Sequence, residues 1–184
     1  MKNIPNKLSA ATFNCFTLEE VKKINEEIKK QNSVEQEPYL AAQHAHKTGK
    51  FTRIDCVPLM KLIHPWIYQC QIINKNVYGY DIYWDFHLET LNYNVYGIGG
   101  EYRWHIDATT DTTITADVKL TCLLNLSEEP YEGGEFCTIN RTEEIKFDSG
   151  HGLIINPLIA HKITPVTKGE RITLTYWATG PLWR

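Results

Sequence analysis

From Tyr80 onward the chain consists of short runs rich in aromatic and β-branched residues, with glycine and proline between them and no helical periodicity. These runs predict strands at 81–85, 87–96, 102–107, 117–126, 135–140, 152–156, 160–165 and 171–179. Short strands that follow one another without intervening helices are typical of a sandwich or a jelly-roll barrel. We therefore predict a mainly β protein whose barrel core occupies residues 81–184.

The segment before these strands, residues 1–80, carries the helical signals. Thr17 followed by Glu20 is the pattern of a capping box, which predicts a helix that begins at Thr17 and runs through Lys30. The apolar stripe of that helix consists of Leu18, Val21, Ile24 and Ile28. Since this stripe should pack on a sheet, we expect the N-terminal segment to support the barrel.

Weaker signals follow that helix. The polar stretch 31–50 predicts a solvated loop, although its pair His44 and His46 leaves open a metal site of the His-x-His kind. An apolar run at 51–57 predicts a strand. Pro65 fits the first turn of a second helix, because proline is well tolerated there.

Length and composition limit the classes of protein that fit. The 184 residues, 42% of them hydrophobic and 22% charged, are expected to form one soluble domain, 1–184. A net charge of −3 gives no electrostatic reason to expect a nucleic-acid partner. No apolar run reaches the roughly 18 residues of a membrane span. Five cysteines without a Cys-x-x-Cys pair predict reduced thiols in the cytoplasm. The oligomeric state cannot be predicted from these features.

A candidate metal site lies in the middle of the β-rich region. His105 and Asp107 are two residues apart on a predicted strand, so their side chains should share one face. Two histidines and one carboxylate are the ligand set of non-haem Fe(II) oxygenases. The second histidine must come from another strand, and His161 is the candidate, with His151 as its rival. The structural alternative is that His105 is a core histidine and Asp107 a turn residue.

The motifs around these residues make the metal-site prediction more specific than the short His-x-Asp pattern alone. In order these are Tyr96–Tyr102, Val118–Leu126, Tyr131–Phe136, Gly152–Pro157, His161–Val166, Arg171 and Tyr176–Pro181. The series resembles the 2-oxoglutarate/Fe(II) dioxygenases of the prolyl 4-hydroxylase type, most closely the bacterial and phage PKHD-type hydroxylases. The resemblance is strong over 86–184 and fainter over 13–85. It implies a double-stranded β-helix barrel with Fe(II) held by His105, Asp107 and His161.

The resemblance also implies a site for the cosubstrate. Arg171 lies ten residues after His161, where the family places the basic residue that binds the far carboxylate of 2-oxoglutarate. An arginine fork suits a buried carboxylate because it can pair bidentately. The alternative is a surface arginine beside Glu170. By the same resemblance Thr175 adds a hydroxyl and Tyr96 hydrogen-bonds the cosubstrate. Asn125 is also expected to bind the cosubstrate, because it falls where some relatives have a tyrosine in the pocket wall.

Two features near the metal motif concern the substrate. The loop 108–117 contains five threonines and no aromatic residue, which fits either an exposed hairpin loop or a lid over the substrate. Tyr102, Arg103 and Trp104 would line the mouth of the site. Each of these three could equally serve packing.

Together these features predict a dioxygenase that uses Fe(II), 2-oxoglutarate and O₂, with ascorbate as a candidate reductant. The resemblance implies hydroxylation of a prolyl residue in a peptide or protein, with succinate and CO₂ as co-products. The alternatives are a hydroxylase of a free amino acid or another small molecule, and a cupin-like module that binds a metal without turnover. Arg171 separates the last alternative from the others, because a binding module has no need to hold a diacid.

Overall fold

The structure is a computed structural model that describes residues 10–31, 35–36, 47–84, 90–108 and 115–183. The helices are α1, Leu18–Lys30, and α2, Cys56–Ile73, which continues into a π-helical turn, Asn74–Tyr78. The strands are β1 Ala10–Asn14, β2 Glu35–Gln36, β3 Lys47–Thr48, β4 Lys50–Asp55, β5 Thr90–Tyr96, β6 Glu101–His105, β7 Asp117–Asn125, β8 Glu132–Gly133, β9 Phe136–Thr138, β10 His151–Ile155, β11 His161–Ile163, β12 Val166–Lys168 and β13 Arg171–Gly180.

The strands form two main antiparallel sheets. The larger has the order β1-β10-β7-β13-β5-β4-β2, and the smaller has the order β3-β6-β11-β9; β12 and β8 pair separately. The predicted mainly β class is therefore confirmed. Strands β1, β2 and β4 come from the N-terminal segment, so residues 1–80 extend the large sheet as well as supplying the helices.

Along the central strands, alternate side chains face either the hydrophobic core or the pocket. On β7, Leu120, Cys122 and Leu124 are fully buried and belong to the same cluster as the apolar residues of α1 and α2. The residues between them, Thr121 and Leu123, point into the barrel because successive side chains of a strand face opposite ways. One face of the large sheet thus packs on the helices, and the other face is free to form a pocket.

Helix α1 agrees with its sequence signals. Thr17 and Glu20 form the predicted capping box, with the Thr17 backbone N–H donating to Glu20 Oε2 at 2.8 Å. The buried face of the helix is Val21, Ile24, Asn25 and Ile28. The assignment of Leu18 to that face was wrong, since Leu18 is 46% exposed and lines a cleft at the start of the helix.

Helix α2 begins earlier than predicted. It starts at Cys56, directly after β4, and Pro65 lies in its interior rather than in its first turn. A proline there removes one backbone hydrogen bond. The cost is offset by burial, because Leu59, Ile63 and Trp66 are each fully buried against the large sheet. Neither helix in the described part of the chain is long and apolar enough to cross a membrane.

Two further expectations need correction. The strand predicted at 81–85 does not form over residues 81–84, and residue 85 lies outside the described residues, as does the beginning of the strand predicted at 87–96. The stretch 31–50 is not simply a solvated loop, because β2, β3 and the start of β4 lie within it. His44 and His46 are outside the described residues, so that alternative metal site has no structural account.

Candidate active site

The predicted metal donors meet between the two sheets. Strand β6 brings His105, and the residue two positions on brings Asp107; β11 pairs with β6 so that His161 lies opposite His105. His105 Nε2 is 3.6 Å from Asp107 Oδ1, and His161 Nε2 is 3.5 Å from Asp107 Oδ2. One donor atom from each residue lies within 4.8 Å of the other two. This spacing is suited to three ligands on one side of a single ion.

The backbone determines which histidine nitrogens face the ion. His105 Nδ1 is 2.7 Å from the Arg103 carbonyl oxygen, and His161 Nδ1 is 2.9 Å from the Ile159 carbonyl oxygen. A carbonyl oxygen only accepts, so each Nδ1 must carry the proton and each Nε2 keeps a lone pair for metal binding. Burial, and then His161, lower the pKa of His105 to about 4, which keeps its ring neutral at pH 7.

Thr121 is a site residue that the sequence analysis missed. Its Oγ1 donates to Asp107 Oδ2 at 2.6 Å, which fixes the carboxylate in the direction of the two histidines. The pattern of β7 could have indicated it, because Thr121 is a polar residue on the strand face that points into the barrel. The sequence alone does not show that this face lies over Asp107.

Arg171 lies deeper in the same pocket. It is 1% exposed, yet its Nε and Nη2 have no hydrogen-bond partner among the described residues. Its guanidinium carbon is 5.5 Å from the centre of the Tyr96 ring and 5.8 Å from that of Phe147. The predicted alternative of a surface arginine is wrong. Donors left free in a buried arginine are costly, which is the expected signature of a site for an anion.

The strand β13 carries the residues around Arg171. Thr173, Thr175 and Trp177 line the pocket on the same face as Arg171, as the period of a strand requires. Thr173 Oγ1 likewise has no partner among the residues that the structure describes. Gly134 allows the chain to pass close to Arg171, because a Cβ at Gly134 would come within 2.9 Å of Arg171 Cδ.

Asn125 does not belong to this pocket. Its amide nitrogen donates to the Phe147 carbonyl oxygen at 2.5 Å and to Tyr131 Oη at 3.2 Å, and its oxygen accepts from the Ser127 backbone N–H. These bonds hold it in the wall of a separate cleft of about 490 Å³, whose lining includes none of the metal donors. The structure thus corrects the prediction that Asn125 contacts the cosubstrate: its polar groups are already satisfied by loop contacts.

Lys47 and Asn94 line the pocket without having been predicted to do so. Lys47 Nζ donates to Asn94 Oδ1 at 2.7 Å, and Asn94 Nδ2 donates to Thr175 Oγ1 at 3.1 Å. Burial lowers the pKa of Lys47 to about 8; the Asp107 charge acts in the opposite direction, and Arg171 lowers it further. No sequence signal could have identified Lys47, because it follows a polar stretch with no periodicity.

The three residues predicted at the mouth have different environments. Tyr102 lines the pocket and stacks on His105 with 3.5 Å between ring centres. Arg103 is exposed and pairs with Glu101 at 3.0 Å. Trp104 is 47% exposed, and Lys162 Nζ lies 5.2 Å from its ring centre. Of these three side chains, only that of Tyr102 contacts a metal-binding residue; Arg103 contacts His105 through its backbone carbonyl oxygen.

The remaining histidines in the described chain stay apart from the donors. His151 begins β10, where it pairs with Asn14, and it does not join the donor cluster. His64 is exposed on α2 and stacks against Tyr68. His87 and most of the loop 108–117, residues 109–114, lie outside the described residues, so the lid hypothesis stays a prediction.

The fold and these donors define a class of protein: a β-barrel with a two-histidine, one-carboxylate metal centre and a buried arginine in one pocket. Residues 91–179 match the sequence model of the 2OG-Fe(II) oxygenase superfamily. Over this region, just under half of its length, the chain is similar to that superfamily, and His105, Asp107 and His161 form the two-histidine, one-carboxylate Fe(II) triad.

Individual relatives agree with this assignment. A PKHD-type hydroxylase of Prochlorococcus marinus (strain NATL2A) is 38% identical over 81 residues, which are 43% of this chain and 36% of the relative. The chain therefore matches just over a third of that relative's length.

Solved structures agree on the fold. The viral collagen prolyl hydroxylase of Paramecium bursaria Chlorella virus-1, in its 2OG complex, superposes with a TM-score of 0.70 and 16% identity, covering 94% of this chain and 96% of that one. A prolyl-4-hydroxylase of Pseudomonas putida gives a TM-score of 0.68 and 16% identity, with 92% and 91% covered. These likenesses confirm the double-stranded β-helix barrel.

Proposed function

We propose that the chain is a 2-oxoglutarate- and Fe(II)-dependent hydroxylase that acts on a prolyl residue of a peptide or protein. The observation that carries the proposal is the pairing of two features in one pocket. At one end lie three metal donors, and at the other lies a buried arginine whose Nε and Nη2 have no partner among the described residues. A diacid that also binds the metal would satisfy both.

The metal end of the pocket is preorganised by the protein. The Arg103 and Ile159 carbonyl oxygens orient His105 and His161, and Thr121 orients Asp107. Bound Fe(II) with 2-oxoglutarate would activate O₂, so that one oxygen atom enters a substrate C–H bond and the other leaves in succinate, with release of CO₂. Three protein ligands leave positions open for the cosubstrate and O₂.

The other end of the pocket would hold the far carboxylate of 2-oxoglutarate. Arg171 offers Nε and Nη2, and Thr173 adds a free hydroxyl. Tyr96 pairs with Arg171 across the β13–β5 ladder and is 3% exposed, so its ring covers the guanidinium from one side. Thr175 lines the same pocket, where its hydroxyl already accepts a hydrogen bond from Asn94. Hydrogen bonds between the arginine and a carboxylate would be charge-assisted, and such bonds are stronger than those between neutral groups.

The surface beside the pocket supports a peptide rather than a free amino acid as substrate. Trp104, Ile106 and Leu158 are large apolar residues with about half of their surface exposed. Ile106 and Leu158 are brought close by the backbone N–H groups of Asp107 and Ala108, which both donate to the Pro157 carbonyl oxygen. Trp104 and Ile106 share the face of their segment opposite to His105 and Asp107, so this apolar surface lies on the outer side of the strand that carries the metal donors. Exposed apolar surface there suits a substrate that extends past the pocket and has surface of its own to bury. Hydroxylation of a free amino acid is the second candidate.

The test is an anaerobic titration of the purified protein with Fe(II) and then 2-oxoglutarate, monitored by the visible metal-to-ligand charge-transfer band. We expect the band in the wild type and in Arg141→Ala, which removes an exposed turn arginine as a matched control. We expect Arg171→Ala to lose it at the same concentrations. Absence of the band in the wild type would exclude the oxygenase and leave a metal-binding β-barrel.

The substrate is tested separately. Proline-containing peptides and free amino acids are incubated with the loaded enzyme in air, and product is detected as a mass increase of one oxygen atom together with succinate. We expect hydroxylated peptide and unchanged free proline. Hydroxylation of free amino acids alone would select the second candidate.

A further inference from the structure

Lys47 crosses the gap between the two sheets. In β3, an edge strand of the small sheet, it is the register partner of Tyr102 in β6. Its Nζ reaches Asn94 in β5 of the large sheet at 2.7 Å. The lysine side chain therefore spans the open side of the barrel, and its charged end lies inside the pocket rather than in solvent.

The charged end of Lys47 lies near that of Arg171. Lys47 Nζ is 5.6 Å from the centre of the Tyr96 ring, and Arg171 Cζ is 5.5 Å from the same centre. The strand register agrees, because Asn94 pairs with Thr173 and Tyr96 pairs with Arg171, which are adjacent positions on one face of β5 and β13. Both cations thus face the same pocket around the Tyr96 ring, and Lys47 Nζ also lies 5.1 Å from the centre of the Tyr102 ring.

No carboxylate among the residues that the structure describes neutralises these two cations. Neither forms an ion pair within 4 Å with a carboxylate in the described parts of the chain. The carboxylate that lines the pocket is Asp107, and it is directed at the histidines and Thr121. Like charges brought together in a partly dry pocket repel, so an anion bound between them would be strongly favoured.

We propose that Lys47 is a second cationic anchor for the far carboxylate of the cosubstrate, opposite Arg171. This inference rests on the proposed function, since it takes 2-oxoglutarate as the diacid. Lys47 comes from the N-terminal β3, whereas the metal donors and Arg171 all come from the barrel core. The N-terminal segment would therefore complete the cosubstrate site as well as supporting the barrel.

A purely structural role would give a different result. If Lys47 only fastened β3 to Asn94, its removal would disturb the pocket for any 2-oxo acid. If it binds the far carboxylate, its removal should weaken the binding only of ligands that have that carboxylate. The pair of ligands 2-oxoglutarate and 2-oxopentanoate separates the two roles, because they share the metal-binding end and differ only in the far carboxylate.

The experiment measures dissociation constants of both ligands by anaerobic titration of the Fe(II)-loaded protein. The variants are Lys47→Met, which keeps the length of the side chain, Lys47→Arg, which keeps the charge, and Lys168→Met as a control at an exposed lysine paired with Glu132. Thermal unfolding of each variant verifies that it is folded.

We expect Lys47→Met to raise the dissociation constant of 2-oxoglutarate about ten- to a hundredfold, which is the effect of losing one charged hydrogen bond. The dissociation constant of 2-oxopentanoate should stay unchanged. Lys47→Arg should keep most of the affinity, and Lys168→Met all of it. Unchanged 2-oxoglutarate affinity in Lys47→Met, or an equal loss for both ligands, would overturn the inference while leaving the proposed function intact. If the wild type bound no 2-oxoglutarate, the proposed function itself would fail.

Discussion

The hydroxyl of Thr121 donates a 2.6 Å hydrogen bond to Oδ2 of Asp107 and so connects a central strand of the large sheet to the metal-binding carboxylate. The two residues are 14 positions apart in the sequence. Partners that orient a metal ligand commonly affect metal affinity almost as much as the ligand itself. The bond therefore has a direct experimental consequence.

Thr121→Val removes the hydroxyl and keeps the shape of the side chain. We expect Fe(II) affinity to fall about 10- to 100-fold, because Asp107 loses the partner that directs it. Thr173→Val is the matched control, since its hydroxyl faces the pocket but does not contact a metal donor. Metal titration of both variants checks this, and equal Fe(II) affinity in Thr121→Val and the wild type would contradict it.

Asp107→Ala removes a ligand without removing a core residue. We expect complete loss of turnover and of tight Fe(II) binding, with the unfolding transition retained. His151→Ala is the comparison, because His151 lies in β10 outside the donor cluster, and it should keep both properties. Turnover assays and metal titration provide the measurement; an inactive His151→Ala enzyme that is properly folded would question the assignment of His161.

Arg171→Met should separate stability from ligand binding. The free protein should lose little or no unfolding free energy, because a buried charge without a partner is replaced by an apolar chain of similar length. In the wild type, 2-oxoglutarate at about 100 times its Kd should add about 2.7 kcal/mol with the metal present, and this gain should disappear in the variant. Thermal unfolding with and without ligand tests both statements, and a ligand-induced shift of wild-type size in Arg171→Met would refute the second.

Trp104→Ala tests the apolar surface beside the pocket. We expect KM for a peptide substrate to rise several-fold while the Kd of 2-oxoglutarate stays the same, because Trp104 is exposed on the outer face of the strand that carries His105 and is not in the pocket lining. Tyr83→Ala is the control, an aromatic residue that is 55% exposed elsewhere. Steady-state kinetics with the peptide varied would show the difference, and identical KM values would remove Trp104 from the substrate surface.

The cysteines should react slowly and with a clear dependence on pH. The described structure contains five free cysteines, as the sequence predicted, and burial raises the pKa of Cys15 to about 11 despite the opposing hydrogen bond with the Gly152 backbone. Since the thiolate is the reactive form, alkylation of Cys15 at pH 8 should be about 200-fold slower than that of free cysteine and should accelerate up to about pH 11. Mass spectrometry after timed iodoacetamide treatment measures this, with the denatured protein as reference.

Several parts of the site could be predicted because they depend on neighbouring residues. His105 and Asp107 share a face by the period of a strand, and so do Arg171, Thr173 and Thr175. The capping box of α1 is likewise complete within a few residues of Thr17. Such features depend on local geometry, which a sequence pattern displays directly.

The rest was decided by contacts between distant segments. The hydrogen bond of Lys47 joins residues 47 positions apart, and it forms because β3 pairs with the edge of the small sheet beside β5. Asn125 occupies an alternate position of β7 that predicts a side chain in the pocket. Its amide nitrogen instead donates a hydrogen bond to the Phe147 carbonyl oxygen in a distant loop. The start of α2 was not predicted, because its first apolar residues could be buried equally well in a strand or in a helix.

The sequence by itself therefore determined the strand-rich class and the shared face of His105 and Asp107, because residue spacing encodes which side chains share a face. The order of motifs around them, through its resemblance to a known family, identified His161 and Arg171. Only the tertiary structure decided which faces meet across the barrel. It placed Thr121 over Asp107, Lys47 opposite Arg171 and Asn125 outside the pocket. Strand pairing and packing over long sequence separations select these partners, and no local period records that choice.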